Sequence, residues 1–501
     1  MTPQRLAAAL PAGLPLSLIV SVLASLSFGG SAAHAAADPN TAVPAAQCGA
    51  GSRPETGLQG QVPLPDRLSG RSQQGYQCNL ELVGQYQGEG AAVVATSAGH
   101  CAYMPTSYGA AAKKTKPGVQ VIDVANPAKP TWVASLDTRA FHVGTWESLK
   151  VNPQGNILAG AGVGLLVGAG KLDLYDVSDC AHPKLLNVAA NGDSAPVTNM
   201  AHEGEWSPDG KTYWTSATGG GLLSAIDVSN PKVPKNLYFG GSSIFINHGM
   251  SFNADGTRMY LASIFPAGIA ILDVSDIQNR KASARRVRQI SKVTWKDGSV
   301  TQKALPMTVQ GHPYLLAIDE IGGGGLAGGL RVIDIADEKA PTVVSYIRLG
   351  IQLKENADAA AADAKGNGNG IFGYAPHYCS LDRDTNPTAL ACGYFQSGIR
   401  VFDVRDPLHA REIAYFNPPA QTGKAALLPG SDHAGSPPLG KLTGLQQVDP
   451  AAVQSGGGSA ADLTADWCSS PPQFVNDQLW VTCNDNGFMA LKFTNGAYPL
   501  K

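Results

Sequence analysis

One short phrase recurs along this chain and limits what it can fold into. It reads Gly118-Val-Gln-Val-Ile-Asp123-Val-Ala-Asn126-Pro127, then Leu172-Asp-Leu-Tyr-Asp176-Val-Ser and Leu223-Ser-Ala-Ile-Asp227-Val-Ser-Asn230-Pro231. It returns as Gly268-Ile-Ala-Ile-Leu-Asp273-Val-Ser, Gly329-Leu-Arg-Val-Ile-Asp334-Ile-Ala, Gly398-Ile-Arg-Val-Phe-Asp403-Val-Arg-Asp-Pro407 and Gly487-Phe-Met-Ala-Leu-Lys492-Phe. From Asp to Asp, and finally to Lys492, the copies lie 53, 51, 46, 61, 69 and 89 residues apart. Self-similarity near this period marks an array in which each unit covers its apolar faces with its neighbours; a propeller blade needs about 40 to 50 residues, so the longer intervals hold insertions.

Each copy is apolar on both strand faces, as in Val119, Val121, Ile122 and Val124. A strand sandwiched between two sheets needs that pattern, whereas a half-exposed one alternates. The Asp after the apolar pair, followed in some copies by Asn-Pro, is a turn signal: its carboxylate accepts local backbone N–H bonds, and Pro cannot continue a ladder. Ahead of the copies lie second strands such as Thr212-Tyr-Trp-Thr and Arg258-Met-Tyr-Leu-Ala, preceded by hairpin turns such as Ser207-Pro-Asp-Gly210 and Asn253-Ala-Asp-Gly256. The pattern predicts an all-β, seven-bladed β-propeller of four-stranded blades. The last copy leaves no room for an outer strand, and Leu80-Glu-Leu-Val-Gly-Gln-Tyr86 has the outer-strand pattern. An N-terminal strand completing the last blade would close the ring and remove its open edge.

The repeat resembles the LVIVD family of bacterial exported β-propellers, over roughly residues 80 to 500, with degenerate Asn-Pro positions in copies two, four and seven. The resemblance implies a propeller in the periplasm or at the cell surface and brings no active site with it.

Residues 1–35 read as a signal peptide: Arg5, an apolar run from Leu14 to Phe28, then small residues around Ala33-His34-Ala35. After cleavage no stable membrane insertion is expected, and the location is secreted or periplasmic. Residues 36–77 read as a flexible extension, 78–501 as the propeller, and 351–370 and 421–465 as low-complexity inserts. A net charge of −2 supplies no electrostatic footprint for nucleic acid.

The 8 cysteines suit an oxidising compartment. Cys379 with Cys392, and Cys468 with Cys483, are expected to bridge across their hairpins. Cys48, Cys78, Cys101 and Cys180 allow three pairings, of which one linking the N-terminal segment to the early blades would reinforce closure.

Histidines open several inner strands, where propeller strands surround the central channel: His202, His248 and His377. His202 and His248 each precede a turn glycine, Gly210 and Gly256, by 8 residues, and the same offset from Gly155 falls on Glu147, near His142. Blade seven carries Asp466 in the corresponding region. Imidazoles and a carboxylate from several blades can hold a transition metal, the one cofactor this sequence suggests; the alternative is that these imidazoles belong to the repeat as structural devices. Asp382-Arg-Asp384-Thr-Asn386 lacks the Gly and Glu of a calcium loop and reads as a turn, and Gly162 to Gly170 reads as a glycine-rich hairpin.

Two functions follow from these features. One is a binding or scaffolding module for a protein or cell-envelope ligand; the other is a metal-dependent oxidoreductase or hydrolase with His202, His248, His377 and Glu147 (or Asp466) at the channel mouth.

Overall fold

The computed structural model describes residues 38–500 except 108–113, 143, 163–169, 188–194, 197–200, 218–220, 243, 245, 282–284, 298, 322–327, 368–371, 422–427 and 434–463. The leader reading, most of the glycine-rich hairpin and most of the second insert therefore lie outside the described residues.

The strands form seven antiparallel sheets. Blade one runs Thr96–Ala98, Cys101–Pro105, Val119–Asp123, Thr131–Leu136, and blade three runs Glu203–Trp206, Thr212–Ser216, Leu222–Asp227, Lys235–Gly241. In each blade the repeated phrase is the third strand, apolar toward both neighbouring blades: Val119, Val121 and Ile122 are fully buried. The turn role of the recurring Asp holds in all six copies that have one. Asp123, Asp176, Asp227, Asp273, Asp334 and Asp403 each accept a bond from the backbone N–H two residues on, at 2.8–3.2 Å.

Leu80–Tyr86 pairs with Gly487–Phe493, from Leu80 opposite Phe493 to Tyr86 opposite Phe488, and so supplies the outer strand of blade seven. The short strand Tyr76–Cys78 adds a fifth strand to blade six by pairing with Arg411–Asn417.

The segment before it is not the flexible extension its polar composition suggests. Residues 38–77 are fastened to blade six by buried charge. Arg400, fully buried, bonds Glu55 at 2.8 Å and Glu412 at 3.0 Å, and Arg67 donates to Val62 O, Thr464, Tyr374 and Gln396. The first insert also departs from the loop expected: its alanine-rich run forms the helix Ala357–Asn367, as alanine's helix propensity favours. Asp363 on that helix accepts bonds from Gln61, Leu64 N–H and Tyr374.

Four disulfides are present. The two hairpin bridges form as expected. Cys48–Cys78 closes within the N-terminal segment instead of reaching the early blades, and Cys101–Cys180 joins blade one to blade two. Among the described residues no helix is long and apolar enough to cross a membrane.

Candidate metal centre

The inner strands deliver Glu147, His202, His248 and His377 to one place. Glu147 just precedes the short first strand of blade two, Lys150–Val151; His202 just precedes Glu203–Trp206; His248 lies in Asn247–Phe252 and His377 in Pro376–Leu381. Glycine makes the approach of blades possible beside His248, because a side chain on Gly249 would collide with the Glu203 carboxylate and the Gln302 carbonyl.

The Glu147 carboxylate sits at the middle. Its Oε1 is 3.0 Å from His377 Nε2, and its Oε2 is 3.0 Å from His202 Nε2 and 3.7 Å from His248 Nε2. The Nε2 atoms of His202 and His248 are themselves 3.0 Å apart. Two of the three rings are locked from behind, in the manner of metal-ligating histidines: His248 Nδ1 donates to Thr301 O at 3.1 Å, and His377 Nδ1 donates to Ser469 O at 2.8 Å. That tautomer directs both Nε2 atoms inward. Two nitrogens at this separation fit adjacent positions on a metal with bonds of ~2.1 Å.

A fifth group, absent from the sequence reading, completes the cluster. Glu320, near the end of the second strand of blade five, places Oε1 3.7 Å from His248 Nδ1 and Oε2 3.5 Å from His377 Nε2. Its signal in the sequence is the acidic pair Asp319-Glu320 closing an apolar strand. No turn offset marks it, because it sits on a second strand and not on an inner one.

Burial and mutual charge set the protonation of these groups. Burial lowers the His248 pKa to about 3, with Glu147 opposing and His202 repelling, so this ring stays neutral. Burial also disfavours charge on His202 and His377, yet the Glu147 carboxylate outweighs it and raises both. Glu147 is held well below the usual carboxylate range because these two imidazoles overcome its burial. Burial and then repulsion from Glu147, partly offset by His377, push Glu320 up to about 7. Below this cluster Lys303 bonds Glu203 at 2.8 Å and Glu205 at 2.6 Å. Among the described residues neither Glu147 nor Glu320 has Lys or Arg at ion-pair distance.

Second contacts hold the centre rigid. Gln302, from blade five, donates across the channel to Glu147 Oε2 and to the Tyr378 hydroxyl, each at 2.8 Å. The Tyr378 hydroxyl in turn faces Glu147 at 3.3 Å. Cys468 N–H bonds to Tyr394 O and Phe395 O, and its disulfide to Cys483 anchors the loop that presents Ser469 O to His377.

Two residues considered from sequence lie elsewhere. His142 is exposed and pairs with Asp137 at 2.7 Å. Asp466 belongs to a second cluster with His433 and Asp485. Its oxygens are taken by Trp467, Asp485 and Asn486 N–H and the Asn486 amide, at 2.6–3.0 Å, which makes it a loop organiser. The Asp382 segment is a turn, with Asp382 accepting from Thr388 N–H at 2.9 Å.

No family model matches the chain, and no curated protein does. Among solved structures it is similar to a functionally unknown protein from Desulfotomaculum acetoxidans, with 11% identity over 65% of this chain and 89% of that one at a TM-score of 0.43. The periplasmic gluconolactonase of Pseudomonas aeruginosa shares 14% identity over 50% of this chain and 67% of its own, at a TM-score of 0.35. The computationally designed Ika8 protein shares 9% over 83% and 100%, at a TM-score of 0.42.

Proposed function

We propose that this is an exported propeller of the LVIVD type that binds one divalent transition metal at its channel mouth and works as a metal-dependent oxidoreductase or hydrolase. Glu147, His202 and His248, whose ligand atoms lie within 4.8 Å of one another, form the core of the ligand set, and His377 and Glu320 extend it. One observation carries the reading: three imidazoles, two of them tied through Nδ1 to backbone carbonyls, turn Nε2 toward the buried Glu147 carboxylate, Glu320 stands beside His248 and His377, and among the described residues no Lys or Arg lies at ion-pair distance from either carboxylate. Burying a carboxylate is costly without a compensating cation; here the His202 and His377 imidazoles compensate Glu147, and a divalent ion bound by neutral imidazoles would take over that charge balance.

Rigid inner strands would fix the ligands, and a position left open on the metal would take substrate or water. Zinc would confine the centre to polarising a carbonyl or activating water; copper or iron would add electron transfer. The binding-module reading, with a protein or cell-envelope ligand as partner, assigns no task to this buried charge.

The test is metal analysis by plasma mass spectrometry on the protein lacking residues 1–35, dialysed without chelator and then titrated with zinc, copper and cobalt. About one ion per chain supports the reading. A folded protein that takes up none of them overturns it and returns the binding module to first place.

Acidity gives the same test a sign. Metal must displace protons from His202 and His377, whose proton affinity Glu147 has raised, so uptake is expected to weaken as pH falls from 8 to 5 and to release protons at neutral pH. Calorimetric titration in buffers of different ionisation enthalpy measures that release; pH-independent uptake without proton release would contradict the ligand set.

A further inference from the structure

The centre is closed on most sides. Exposure of the side chains is 2% for His377, 3% for Glu147 and 4% for His248, but 14% for His202. Behind His377 stand Phe395, with ring centroids 5.0 Å apart, and Tyr378 at 4.7 Å. Beneath the centre lie Gln302 and the Lys303 ion pairs. With Glu320 at 9%, His202 is the most exposed of the five groups, and the centre is most open along it.

Among the described residues, Trp146 flanks that side, half-buried between the buried residues Thr145 and Glu147. Its indole lies against the His202 ring, centroids 4.8 Å apart and tilted by 49°. Its backbone is left-handed, with φ of 44°, a conformation that a bulky L-residue rarely adopts and that persists only where the surroundings impose it. Glu147 thus enters the centre while the preceding side chain, less buried, lies against His202.

Building on the metal reading, we propose that Trp146 is the recognition wall of the centre, selecting substrates in which a flat aromatic ring is attached directly to the metal-binding donor. A donor that enters beside His202 brings its substituent against the indole, and offset or edge-on aromatic packing is the contact an indole offers there. Small donors without a ring reach the metal and gain nothing from the wall.

The experiment uses the cobalt-loaded full-length mature chain, with imidazole and 4-phenylimidazole as probes and the visible cobalt spectrum as the readout. The unsubstituted protein should bind the phenyl compound on the order of tenfold more tightly than imidazole. Trp146→Ala should cut that gain to about twofold or less with its cobalt content intact, and Trp146→Phe should keep most of it. An equal phenyl gain in Trp146→Ala, or none in the unsubstituted protein, overturns the inference while leaving the metal reading standing. Loss of cobalt in Trp146→Ala with the phenyl gain preserved at saturating metal would make Trp146 a positioning residue for His202, and also overturns it. A protein that takes up no cobalt, zinc or copper overturns both readings.

Discussion

Replacing His202 and His248 together by Ala is expected to weaken binding of zinc or cobalt by on the order of a thousandfold or more while the propeller stays folded. Changing even an outer partner of a ligand typically costs 10- to 100-fold in metal affinity, and here two donors 3.0 Å apart are lost at once. The fold should survive because neither side chain belongs to the apolar packing between blades: the repeated third strands carry it, as with Leu223 and Ala225 of blade three packed on Leu261 and Ala270 of blade four. His142→Ala is the control, since that ring is exposed and meets Asp137 instead of the centre. Competition against a chelator of known affinity gives the loss, and near-ultraviolet circular dichroism reports the fold. Unchanged metal retention in the double variant would remove these residues from the ligand set.

The second large effect concerns ring closure. Deleting residues 36–87 removes Leu80–Tyr86, whose pairing with Gly487–Phe493 gives blade seven its outer strand. The truncated chain should aggregate or lose its cooperative transition, because an open strand edge remains and the apolar cover of Leu491 and Phe493 by Leu80 is gone. Deleting only 36–70 keeps that strand, and the sequence alone predicts little cost. The structure changes the expectation: Glu55 and Arg67 leave with the segment, Arg400 keeps only Glu412 as its carboxylate partner, and Cys78 loses Cys48. Leaving a buried charge short of a partner typically costs about 3–5 kcal/mol, and the retained Glu412 puts this case at the low end of that range. Urea unfolding of the two truncations against the mature chain measures both effects. A 36–70 deletion as stable as the parent would show that the Glu55–Arg400 contact adds nothing.

Much of this was legible in the linear chain, and the residues show why. The Ile-Asp-Val phrase is a local code: two-sided apolarity calls for a sandwiched strand, and an Asp two residues ahead of a free N–H makes a turn wherever it occurs. Seven copies of a local code give the blade count. Leu80–Tyr86 was readable because its pattern matched what blade seven lacked. The four candidate residues could be picked out because each stands at or just ahead of an inner strand, and in a propeller those strands face one axis.

Glu320, the Thr301 and Ser469 carbonyls, Gln302 and the orientation of Trp146 were not legible in that way. Each meets the centre through a residue 53 or more positions distant, as in Thr301 with His248 or Gln302 with Glu147. Nor could the polar composition of residues 38–77 reveal that Glu55 would meet Arg400. The repeated phrase alone thus determined the fold class, the number of blades and the axis toward which the histidines turn, because strand faces and turns obey short-range rules. Closure of the ring decided which donors share a centre, which imidazole nitrogens face it and which charges stay unmatched, because those depend on distances between blades that come together only when the two ends of the chain are joined.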